Sequence, residues 1–205
     1  MVAQGVEFSL RLPPDWFVLD MKSDRVPAQV QRLVDEAVLR DPGVAAHRGR
    51  VESQVRSAMR RARAANLSFC AVLSTWVDDV LPLAASLTAS VQSVRGSERE
   101  VLAEHLQRRK GALVETVEHR VGPVVRSSFV DVIADPALGG AAAKSAVWQY
   151  FFAVPERGGL VVVTAASPVL ELREQFGSLF DAIVESFRFG VAGSDRVGVW
   201  GELVC

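Results

Sequence analysis

Three histidines, two cysteines, a glycine-rich run ending in Lys144 and Ser145, an adjacent acidic pair and a crowd of arginines are the features of this 205-residue chain that could carry chemistry. His47, His105 and His119 fall on three different predicted elements, with no second histidine at i+4, no HExxH frame and no nearby cysteine. No metal site is expected from that spacing, and His105 and His119 are expected as partly exposed surface residues. A nucleophilic serine would need a strained elbow such as GxSxG, which does not occur; Gly177 and Ser178 lie inside a predicted helix, and Ser127 and Ser128 lie on a predicted strand. LGGAAAKS over 138–145 places glycines before Lys144 and Ser145 but lacks the GxxxxGK spacing, and a strand rather than a phosphate-binding helix N-terminus follows it. A loop without a cofactor is expected there. Asp78 and Asp79 are neighbours in a predicted turn, where side chains diverge, whereas general acid–base work needs a carboxylate held in an apolar pocket. Cys70 sits in an apolar run and Cys205 at the end, with no CxxC, so two free thiols in a reducing compartment are expected. These patterns together predict a protein that is not an enzyme and holds no cofactor.

The arginines stand above this background. In HRGRVESQVRSAMRRARAAN, residues 47–66, Arg48, Arg50, Arg56, Arg60, Arg61 and Arg63 crowd one predicted helix against Glu52. A solvated face balanced by acids elsewhere is the ordinary fate of such a run. The functional alternative is docking of an acidic partner protein through charge-assisted, often bidentate contacts. Arg48, Arg56, Arg60 and Arg63 are therefore the candidate partner-binding residues, joined by Trp200 and less centrally by Trp76. The aromatic interleaving of single-strand nucleic-acid binders is missing. The net charge of -1, from 23 basic and 24 acidic residues, removes any global case for nucleic acid or an anionic membrane.

The elements that must position these residues are legible as patterns. Apolar residues make up 49% of the chain, so much of it must be buried or face a partner. One domain is expected over 1–190, with a glycine-rich tail over 191–205. MVAQGVEFSL lacks a basic segment followed by an apolar core, and no run approaches about 18 apolar residues, so a cytoplasmic protein without membrane insertion is expected. Val6, Phe8, Leu10 and Leu12 alternate as a strand, Pro13 and Pro14 turn the chain, and Trp16 to Leu19 restart it, which predicts an opening hairpin. Amphipathic helices are predicted over 26–41 and 44–65, and strands in LSFCAVLSTWV and VLPLAASLTASVQSV. A capping box at Ser97 and Glu100 starts a short helix over 98–109, and strands follow over 112–121 and 124–133. The hairpin VWQYFFAVPERGGLVVVT puts Ala146, Trp148, Tyr150, Phe152 and Val154 on one face, and its LVVVT arm is apolar on both faces, as in a central strand covered on each side. Ser167 is the expected cap, and Pro168 the first position, of a last helix bearing Leu172, Phe176, Phe180, Ile183 and Phe187. The predicted fold class is α+β, a central antiparallel sheet flanked by helices on both faces, an αβα sandwich.

Two stretches also carry a likeness. RLPPDWFVLD resembles the LPxGW opening segment of the PsbP-like family, and WQYFFAVPERGGLVVVTAASP followed by ELREQFGSLFDAIVESFRF resembles that family's last hairpin, last helix and closing SFR. The resemblance implies an antiparallel sheet between helices and a non-catalytic, adaptor- or chaperone-like role in binding other proteins; it transfers no binding residues. The element order is also similar to the helix-grip ligand-binding fold, in which Trp148, Tyr150 and Phe152 would line a cavity for a small apolar molecule under the last helix.

Overall fold

The computed structural model describes residues 6–14, 16–19, 26–40, 45, 48, 49, 52, 56, 59, 62, 63, 65–77, 81–93, 102, 111–134, 142–155, 158–190 and 202–204. Its strands are β1 (Phe8–Arg11), β2 (Trp16–Leu19), β3 (Leu67–Val77), β4 (Leu81–Gln92), β5 (Leu113–Val117), β6 (Val124–Ala134), β7 (Ala142–Ala153), β8 (Leu160–Ser167), β9 (Arg188–Phe189) and β10 (Glu202–Val204). Helix α1 (Val26–Arg40) follows β2, and helix α2 (Arg173–Glu185) follows β8. Seven strands form one antiparallel sheet in the order β2-β3-β4-β8-β7-β6-β5, and β10-β1-β9 form a smaller one. The chain is thus an α+β protein built on a large antiparallel sheet.

The opening strands do not pair with each other. Phe8 and Leu10 on β1 are buried beside α2, and β1 pairs with β9 and β10, whereas β2 pairs with β3. The Pro13-Pro14 turn, closed by Trp16 N–H on the Pro13 carbonyl at 3.3 Å, therefore hands the chain from one sheet to the other instead of closing a hairpin. The tail contributes β10, with Ser9 opposite Val204 and Arg11 opposite Glu202.

Register sorts the side chains of the large sheet. One row runs Leu19, Cys70, Thr88, Thr164, Gln149, Ser127 and Val114 from edge to edge. The residues one step along point to the opposite face, where Phe69, Ala71, Leu87, Val163 and Tyr150 join the main core beneath α2. That core is aromatic: Phe152 and Phe187 stack at 3.9 Å, Phe8 and Phe187 at 5.7 Å, and Phe180 lies 5.0 Å from Trp148. Gly177 allows the close approach, since a Cβ there would lie 3.2 Å from Trp148 Nε1.

On the other face, Val30 and Val34 of α1 pack with Met59 on Leu19 and Cys70, and Leu102 packs on Phe151, Leu160 and Val162. Arg48, Gly49, Glu52, Arg56, Met59, Ala62 and Arg63 are helical, as the pattern over 44–65 predicts. Asn66, at φ 52°, ends that stretch in the left-handed conformation asparagine tolerates, its N–H bonding the Arg63 carbonyl at 2.9 Å. Of the predicted helix over 98–109 only Leu102 lies among the described residues, and it is helical.

The last helix starts later than its cap signal implies. Ser167 still belongs to β8, opposite Ala146; its hydroxyl donates to the Ala84 carbonyl at 2.8 Å and accepts from Val169 N–H at 3.1 Å. A 3-10 turn, Leu170–Leu172, intervenes before α2, which has no side-chain cap at Leu172. Sheet pairing captures the serine that helix-capping statistics would place at the N-cap.

Cys70 is a free, buried thiol, and burial pushes its pKa from the ordinary 9.0 up to about 11. The native state therefore holds this proton more tightly than the unfolded chain does. Stability should be unaffected below about pH 9 and fall by up to about 1.4 kcal/mol per pH unit between about pH 9 and 11. Urea titrations across that range, compared with Cys70→Ala, check the sign: a Cys70→Ala protein with the same loss would remove the thiol as its cause.

Candidate protein-interaction site

The sheet ends at β5, a five-residue strand exposed at every position. Gly111, at φ +79°, turns the chain just before it, a conformation that favours glycine. β5 pairs only with Val124–Ser128, its Leu113 opposite Ser128, while β6 runs on to Ala134 against β7. Among the described residues the outer edge of β6 from residue 129 to 134 therefore has no neighbouring strand, a length of about 20 Å. Apolar side chains gather here: Leu113 is 64% exposed, Val130 43% and Val132 57%, with Val114 and Val117 also exposed. Leu39 is the other exposed large apolar residue among those described. Edge strands usually carry lysine, proline or a bulge that blocks pairing. At this edge the Val132 amide donates to Asp131 Oδ1 at 3.0 Å, so a local carboxylate stands where a strand acceptor would.

An ionic clamp holds this edge against α2. Arg126 of β6 pairs with Glu115 of β5 and, at 3.1 Å, with Asp181 of α2, whose other oxygen accepts the Tyr150 hydroxyl at 2.7 Å. Burial works against the Arg126 cation, but Glu115 and Asp181 outweigh it and hold its pKa above the ordinary value. Burial, then the Asp181 bond, pushes the Tyr150 phenol up, so it remains a donor. Arg120 adds a pair with Glu185 at 3.6 Å. The edge is thus a fixed surface.

His119 belongs to the same clamp, in the β5–β6 connection rather than on a strand. Its Nδ1 accepts from Val121 N–H at 3.2 Å, which leaves Nε2–H to donate to the Val184 carbonyl at 3.1 Å, and its ring meets Phe152 edge-on. It is partly exposed, as expected of it, and also ties the turn to α2. His47 and His105 lie outside the described residues.

Two of the candidate arginines have acidic partners within the fold. Arg48 pairs with Asp35 of α1, and Arg56 pairs with Glu52 one turn away. Arg63 is half-buried on the same stripe, and the stripe's centre, Met59, is buried against α1. Arg60 and Trp200 lie outside the described residues, as do Asp78, Asp79 and Cys205; for Trp76 only the backbone, on β3, is described. Lys144 and Ser145 are on β7, opposite Val132 and Asp131, not in a loop; residues 138–141 lie outside the described residues. Ser178 bonds the Glu174 carbonyl, an ordinary helical contact. Trp148, Tyr150 and Phe152 are all buried in the aromatic core.

Leu113, Val130 and Val132 escaped sequence reasoning because alternation looks the same in a central strand and at an edge. Fold and site together define an α+β antiparallel-sheet protein with an apolar open edge braced by an ionic clamp. No protein-family model, curated protein or solved structure matches the chain. No helix among the described residues is long and apolar enough to cross a membrane.

Proposed function

We propose that this protein is a non-catalytic protein-interaction module and that it binds through the β5–β6 edge. The carrying observation is the cluster of exposed Leu113 on β5 and Val130 and Val132 on β6, whose outer edge beyond Ser128 has no neighbouring strand among the described residues. Such an edge offers main-chain donors and acceptors to an added strand, and its side chains supply apolar area worth about 25 cal/mol per Å² buried. The Arg126–Asp181–Tyr150 clamp supports the reading, because a fixed edge loses little conformational freedom on binding. The PsbP-like αβα arrangement forms part of the same proposal. Its support is the packing of α2 on one sheet face and of α1 with Met59 on the other. Burial of Trp148, Tyr150 and Phe152 favours core filling over the lining of a ligand cavity.

A photo-crosslinking amino acid placed in turn at positions 132 and 60 separates the edge from the arginine helix. Position 132 should give a discrete adduct, identified by mass spectrometry, whose yield falls at least about tenfold when Val130→Lys is added. Adducts from position 60 alone would move the binding surface to the arginines. A silent position 132 would end the edge proposal.

A further inference from the structure

We infer that the partner at this edge is a second copy of the same chain, the two β6 strands pairing antiparallel about a two-fold axis at Val132. The inference rests on the edge-binding reading above. Its ground is the register that the overhang permits. Pairing about Val132 sets Val132 opposite Val132 of the second copy, Val130 opposite Ala134 and Asp131 opposite Ile133. All of these positions lie beyond Ser128, where β5 ends. No like charges face each other in this register. Moving the axis to Asp131 would set two carboxylates directly opposite, which is destabilising, and a one-residue slip would mismatch the two faces of the sheet.

Three further features agree. The strand ends at Ala134, so the paired stretch fills the overhang and meets β5 at Leu113, whose exposed side chain flanks Val130 on the α2 side. The apolar strip is self-complementary, as an isologous interface requires, and a two-fold contact closes on itself and yields a discrete dimer instead of a filament. The Val132 amide is held by a side-chain carboxylate that an incoming carbonyl can replace, and among the described residues this edge has no strand pairing to break. The two large sheets would then run on as one, with each copy's exposed Val130 and Val132 covered by the other.

Sedimentation velocity on the full chain tests this. The wild type is expected to sediment as a dimer. Val132→Lys sets two cations across the axis and should weaken the dimer at least about tenfold, as should Val132→Glu through two carboxylates. An equimolar mixture of the two variants should restore a dimer that neither forms alone, and no misfolded variant could show that rescue. A dimer that survives Val132→Lys, or a mixture that stays monomeric, overturns the inference. A monomeric wild type that still forms an adduct from position 132 with a different protein sinks the second copy and leaves the edge reading standing; a monomer with no adduct sinks both.

Discussion

Phe187→Ala is expected to lower the unfolding free energy by about 3–5 kcal/mol, a large share of the roughly 5–15 kcal/mol that holds a domain of this kind together. Phe187 is fully buried, stacked on Phe152 of the large sheet and Phe8 of the small one, and met edge-on by Phe189 at 5.1 Å. Truncation therefore opens a cavity where the two sheets meet and removes one ring from three aromatic contacts. Phe187→Leu keeps most of the volume and should lose less. Urea unfolding followed by tryptophan fluorescence measures both, and an unchanged m-value confirms that stability and not compactness has changed. A loss under about 1 kcal/mol for the alanine variant would mean that the stack is not what joins the sheets.

Asp181→Ala should cost about 1–3 kcal/mol, because it strands a buried phenol and takes one of two carboxylates from Arg126. Tyr150→Phe removes only the hydroxyl and leaves Asp181 paired with Arg126, so it should cost less. A double-mutant cycle of the two should show coupling of about 0.5 kcal/mol or more; additivity would deny that they act as one unit. The phenol adds a pH signature. Its pKa is raised in the folded protein, so the native state retains a proton that the unfolded chain releases above the ordinary 10.0. Stability contributed by Tyr150 is thus complete below about pH 10 and declines above it, and Tyr150→Phe should lose that decline. Because Cys70 titrates over an overlapping range, the comparison belongs in a Cys70→Ala background.

Much of the secondary structure was legible from periodicity. Leu113 to Val117, the strand pair containing Cys70 and Leu87, and the helix bearing Phe176, Phe180 and Ile183 all lie where their apolar spacing puts them. Local signals failed where tertiary partners compete. Ser167 carries a helix-cap signature yet remains in β8, because the Ala84 carbonyl and the pairing with Ala146 satisfy it there. Lys144 and Ser145 look like the end of a glycine loop but are held as strand by β6. His119, isolated in sequence, gains both of its partners from the fold. The arginines were conspicuous in composition, but sequence cannot show that Asp35, thirteen residues before Arg48, would meet its guanidinium.

The sequence by itself determined which face of each strand is apolar and where the long helices run, since both follow from spacings of two and three to four residues along the chain. Only the tertiary structure decided that β1 and β2 part into different sheets, that β5 begins only at Leu113, opposite Ser128, and that Val130 and Val132 are left at an outer edge among the described residues. The physical reason is that a strand's pattern records which side of it is buried, while strand order and edge position depend on pairings between segments far apart in the chain, which no local spacing encodes.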